Sequence, residues 1–133
     1  MAPAHFTFEL DPKARLVRIA GSGDPQYPEW IALFDQVLAS PGFQPGTDFL
    51  IDRRGMDSIP SNQTVEEMID YYADHREQLG HCRLASVTTN SAVYGMTRMA
   101  EVFAERTTVT VRVFRDMESA YRWLRPDERS PEA

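Results

Sequence analysis

Apolar residues follow different rhythms along this chain. In His5-Phe6-Thr7-Phe8-Glu9-Leu10 they alternate, placing Phe6, Phe8 and Leu10 on one face, the period of a half-buried strand. After the turn Asp11-Pro12-Lys13-Ala14, residues 15–20 predict a second strand, and the two are expected to pair as an antiparallel hairpin. The rhythm changes in Asp48-Phe49-Leu50-Ile51-Asp52-Arg53-Arg54, where three apolar residues run together between charged ones and Gly55 follows. An unbroken apolar run suits a strand buried on both faces, as in a parallel sheet covered by helices. Further strands are expected at residues 82–88 and 109–114.

Between the strands the spacing becomes that of a helical face. Trp30, Leu33, Phe34, Val37 and Leu38 predict a helix over 28–39, with Pro28 suited to its first turn and Pro41-Gly42 stopping it. Thr64 and Glu67 make a capping-box pattern, so a second helix is expected to start at Thr64 and end at Gly80. Its buried stripe is Val65, Met68, Ile69, Tyr72 and Leu79, which leaves Tyr71 for the surface. A third helix is expected over 91–105, capped by Asn90, with Val93, Met96, Ala100 and Phe103 inward and Met99 and Val102 beside them. Gly95 inside it costs about 1 kcal/mol relative to alanine, and close approach to the sheet is the expected reason. Asp116 caps a last short helix with Met117, Ala120, Trp123 and Leu124 on its inner face.

This order implies an α/β fold: a single-domain mixed β-sheet, an N-terminal hairpin plus βα units, with helices on both faces. Residues 1–125 are expected to form the domain, and 126–133, which lack an apolar anchor, a flexible tail. The 133 residues suffice for one core, and the net charge of −6 argues against a nucleic-acid partner, which needs a concentrated basic surface. No apolar run approaches the roughly 20 residues that cross a bilayer, and Met1-Ala2-Pro3-Ala4-His5 lacks a signal-peptide pattern. A cytoplasmic protein with no integral membrane segment is expected. The single cysteine, Cys82, excludes an internal disulfide and a cysteine-based zinc cluster and reads as a small buried apolar group. His5, His75 and His81 fit no metal-ligand spacing, and Gly21-Ser22-Gly23 lacks the third glycine of a dinucleotide loop because position 26 is Gln. Neither a cofactor nor a metal is expected.

Open α/β sheets keep their ligand crevices at the carboxyl ends of the strands. The central strand delivers Asp52, Arg53 and Arg54 there, with Asp57 and Ser58 close behind. An arginine at such a rim can grip a carboxylate or phosphate through two parallel hydrogen bonds; an ion pair between Asp52 and a neighbouring arginine is the competing reading. Thr88, Thr89, Asn90 and Ser91 end the adjacent strand and offer hydroxyls and helix-terminus N–H groups, or serve as caps alone. Trp30, Phe34, Met56, Met68, Met96, Met99 and Phe103 are candidates for a deformable apolar pocket, with plain core packing as the alternative. An enclosed cavity against the strand ends is the observation that favours a ligand over a protein partner.

The stretches Cys82-Arg83-Leu84-Ala85, Gly95-Met96-Thr97-Arg98-Met99, Val111-Arg112-Val113-Phe114-Arg115-Asp116 and Ala120-x-x-Trp123-Leu124 resemble the SpoIIAA-like family of the STAS-like superfamily, whose fold is related to CRAL-TRIO lipid-transfer domains. The resemblance implies a small non-catalytic module recognising a partner protein or a small anionic or amphipathic ligand. In the sporulation antagonists a serine at the start of the helix after the central strand is phosphorylated. Ser58 is the matching phosphorylation candidate here, although Ile59-Pro60 stand where a serine and a glycine are expected. Two other readings remain. One is a small enzyme with Asp52 as general base and Arg53 or Arg54 as anion clamp, for which no second catalytic group is identifiable. The other is a homodimer formed through an exposed sheet edge or the aromatic face of the first helix.

Overall fold

The structure is a computed structural model that describes residues 5–56 and 59–126. Strands β1 (His5–Asp11), β2 (Leu16–Gly23), β3 (Asp48–Met56), β4 (Cys82–Val87) and β5 (Val109–Phe114) form one sheet in chain order. β1 and β2 are the antiparallel hairpin, and each later pair is parallel. Every parallel crossover steps the same way across the sheet, so the right-handed rule sends the connecting helices to one side. α1 (Tyr27–Leu38), α2 (Asn62–Asp74), the single turn α3 (Arg76–Leu79) and α4 (Ser91–Phe103) accordingly share one core with that face. α5 (Met117–Leu124) follows the last strand and closes the opposite face. Helices therefore cover both faces of a mixed sheet.

β3 is the middle strand, and its apolar run divides by alternation. Phe49 and Ile51 enter the core under α1, α2 and α4, while Leu50 enters the core under α5. All three are at most 3% exposed. Burying such a side chain is worth about 1.5–3 kcal/mol, so a strand with apolar partners on both sides needs no polar face.

Several local expectations are corrected. α2 begins at Asn62, two residues before Thr64, because Ser61 is the cap: its hydroxyl accepts the Thr64 N–H at 3.1 Å. The helix breaks at His75, and α3 carries Leu79 back into the core before Gly80 (φ +66°), where a Cβ would meet the Gly46 nitrogen at 2.8 Å. Tyr71 is 4% exposed because α2 is flanked by α1 as well as by the sheet; its hydroxyl donates to Asp35 of α1 at 2.7 Å. Gly95 does not approach the sheet, since a Cβ there would meet nothing within 4 Å. Val102 is 60% exposed.

Two polar devices hold the periphery. Arg125, just past α5, donates to Asp48 Oδ2 at 2.7 Å and to the carbonyls of Ala14 and Arg15 at 2.6 and 2.9 Å, tying α5 to the hairpin turn and to the start of β3. At the sheet margin, Glu101 of α4 accepts the Val113 N–H at 2.8 Å, and the Thr107 hydroxyl accepts the Val109 N–H at 3.0 Å. Among the described residues, no helix is long and apolar enough to cross a membrane. The expected tail from 127 onward lies outside the described residues.

Candidate functional site

The carboxyl end of β3 departs from the regular ladder. Asp52 lies opposite Ala20 and Gly55 opposite Ser22, so β3 carries one extra residue between them. Such bulges re-aim side chains, and the two arginines inside this one go separate ways. Asp52, two residues after Leu50, turns to the α5 side and is gripped there by Arg54. The guanidinium of Arg54 donates to Asp52 Oδ1 and Oδ2 at 2.9 Å each, and its backbone N–H adds a bond at 3.0 Å. Those bonds hold the Asp52 carboxyl below its ordinary value, which makes it a weak base. Arg53, two residues after Ile51, turns the other way, beneath α1 and α2. The alternative reading, Asp52 as base with Arg53 or Arg54 as anion clamp, finds no such arrangement: Asp52 and Arg53 face opposite sides of the sheet, and Arg54 is committed to Asp52 itself. Gly55 permits the close return of β3 to β2, because a Cβ there would meet the Gly21 carbonyl at 2.8 Å.

Arg53 lies over the Trp30 ring, its guanidinium carbon 4.8 Å from the ring centroid. Its Nε is sealed from solvent and has no hydrogen-bond partner among the described residues. Burial pushes the guanidinium down to about 10, still a cation at neutral pH. The neighbouring Tyr72 hydroxyl is itself pushed up by burial, so it stays neutral and supplies no counter-charge. A half-buried cation with no carboxylate partner among the described residues is costly to the fold, and a stacked indole returns part of that cost.

A half-enclosed cavity of about 70 Å³ opens beside Arg53, between the sheet and helices α1, α2 and α4. Its walls are mostly apolar, with Trp30, Phe34, Ile51, Met68 and Met96 among them. Ser86 also lines it, only 2% exposed and with its Oγ unpartnered among the described residues. An outer chamber of about 90 Å³ shares Trp30, Arg53, Pro60 and Thr64 with the inner one and adds Gln26 and Ser61. Gln26 and Ser61 are the N-caps of α1 and α2, so the positive ends of two helix dipoles converge where Arg53 stands. Among the described residues, no carboxylate and no second cation line either chamber.

No protein-family model matches the chain, and no curated protein does. Among solved structures, an uncharacterized protein of the DUF3478 family with a SpoIIAA-like fold, from Shewanella loihica PV-4, aligns with a TM-score of 0.59 at 20% identity, over 91% of this chain and 93% of that one. The fold is SpoIIAA-like. Identity at that level speaks for architecture, so the chemistry rests on this chain's own side chains.

Within this SpoIIAA-like frame the remaining candidates take the following places. Thr88 is 1% exposed, and its hydroxyl accepts the Asn90 N–H at 3.1 Å. Asn90 caps α4 by accepting from Ala92 and Val93, while Thr89 and Ser91 are exposed. None of these four lines the cavity. Asp57 and Ser58 lie outside the described residues. Of the apolar pocket candidates, Trp30, Phe34, Met68 and Met96 line the cavity, whereas Met56, Met99 and Phe103 do not. Cys82 is a buried free thiol pushed up to about 12 by its burial. Ser86 is the residue that sequence reasoning missed; its signal was a hydroxyl two places after Leu84, on the otherwise apolar inward side of β4.

Proposed function

We propose that this SpoIIAA-like protein is a non-catalytic, cytoplasmic binding module for a small organic monoanion, with the anionic group at Arg53 and the apolar part in the inner cavity. One observation carries the reading: a half-buried arginine, its Nε sealed from solvent and unpartnered among the described residues, lines a cavity whose other walls are largely apolar. A single cation calls for a single negative charge, and a carboxylate matches the guanidinium in both charge and hydrogen-bond geometry. Two helix N-termini beside it favour the same sign. An engineered apolar cavity of about 150 Å³ accommodates benzene; this inner chamber, at about 70 Å³, suits a tail of a few carbon atoms. The open α/β rule, which puts ligands at the carboxyl ends of strands, supports the same location.

The chain has two tryptophans, so a Trp123→Phe background leaves Trp30 as the reporter stacked on Arg53. Titration with pentanoate is expected to change Trp30 emission saturably, with a Kd on the order of 1 mM or tighter. Acetate and inorganic phosphate should bind more weakly. Arg53→Met should abolish the response. No saturable change with any of these anions, or an undiminished response in Arg53→Met, overturns the proposal.

A further inference from the structure

Ser86 adds a second requirement. Its hydroxyl is shut away from solvent, bonds to nothing among the described residues, and borders the same cavity as Arg53. Most buried hydroxyls find a partner, because leaving one unpaired costs about 1–3 kcal/mol. In register, Ser86 stands beside Ile51 on β3 and Val113 on β5. It is thus one strand over from Arg53 and one inward-facing position deeper. With strands about 4.8 Å apart and same-face residues about 6.6 Å apart, the two Cα atoms are separated by roughly 8 Å on a diagonal. Thr97 of α4, also on the cavity wall, spends its proton on the Val93 carbonyl at 2.9 Å. Tyr72 lines the wall beside Arg53 as well, so among the described residues the Ser86 O–H is the hydroxyl donor of this cavity that is both sealed from solvent and unpaired.

Resting on the anion-binding reading above, we infer that the ligand is a short carboxylate bearing an oxygen substituent, oxo or hydroxyl, on its tail, with the carboxylate at Arg53 and the tail oxygen hydrogen-bonded to Ser86. The apolar walls between the two polar groups accept the intervening methylenes. Such a site rejects the plain acid of equal length, since the plain acid leaves the serine buried and unpaired.

Matched pairs test this directly in the Trp123→Phe protein: pentanoate against 4-oxopentanoate, and hexanoate against 5-oxohexanoate and 6-hydroxyhexanoate. At least one oxygenated acid should bind about tenfold tighter than its plain counterpart, the worth of one hydrogen bond. In Ser86→Ala that preference should fall to about one, while plain acids bind at least as well as before. The alanine variant removes an unpaired hydroxyl and is expected to fold; far-ultraviolet circular dichroism checks this. Equal affinity for plain and oxygenated acids in the parent, with binding still lost in Arg53→Met, overturns the Ser86 assignment and leaves the anion site standing. A preference that survives in Ser86→Ala overturns it as well. If no acid of either kind binds, both readings fall.

Discussion

Replacing Arg53 by methionine should make the ligand-free protein more stable while destroying its binding. Burial lowers the guanidinium from its ordinary value to about 10, and at about 1.4 kcal/mol per tenfold change this amounts to roughly 3 kcal/mol against folding. Stacking on Trp30 at 4.8 Å returns up to about 2 kcal/mol in a desolvated setting. Methionine keeps much of the side-chain length, has no charge to desolvate and adapts to a cavity already walled by Met68 and Met96. The expected gain is about 1–3 kcal/mol, read at neutral pH from the urea midpoint with an unchanged slope. Alkaline pH gives a second readout. The folded-state value is depressed, so the penalty is full below about 10 and is relieved as pH rises through about 10. The gap between variant and parent should narrow over that range. A variant less stable than the parent by 1 kcal/mol or more would refute the reasoning, because Arg53 would then be a packing residue whose contact with Trp30 outweighs its burial. A stabilising substitution at a ligand-contacting position is the pattern of a residue kept for function at the expense of the fold.

Two further outcomes test the frame. Gly95→Ala should stabilise the protein by about 1 kcal/mol in thermal or urea unfolding, since the position is exposed, helical and unobstructed. Arg125→Ala should cost about 3 kcal/mol in urea unfolding, because it strands the mostly buried Asp48 carboxylate and frees two carbonyls of the hairpin turn; Arg125→Lys should recover little of it, an ammonium lacking the planar reach to span all three acceptors.

The architecture was legible because β3 and the helical stripes state their surroundings locally. Phe49, Leu50 and Ile51 have no polar partner to alternate with, and so short a run, closed by charged residues and Gly55, suits a strand buried on both faces. The site was half legible. Chain adjacency grouped Asp52, Arg53 and Arg54, but side chains on a strand alternate, and a bulge that no residue announces pins Arg54 to Asp52 and turns Arg53 alone to the cavity. Ser86 needed the β3–β4 register before its hydroxyl could be placed near Ile51. Tyr71 could not be read as buried from its own helix, since what covers it is the lateral position of α1, a tertiary fact. With Thr64 and Ser61 both able to cap, the earlier residue won, and the pattern gave no means of choosing.

The margin at β5 has a consequence for self-association. Exposed strand edges are templates on which further chains can add, yet Glu101 and Thr107 already occupy two of the amides such a newcomer would require. Adding a second copy along β5 is thus opposed by side chains of this chain itself.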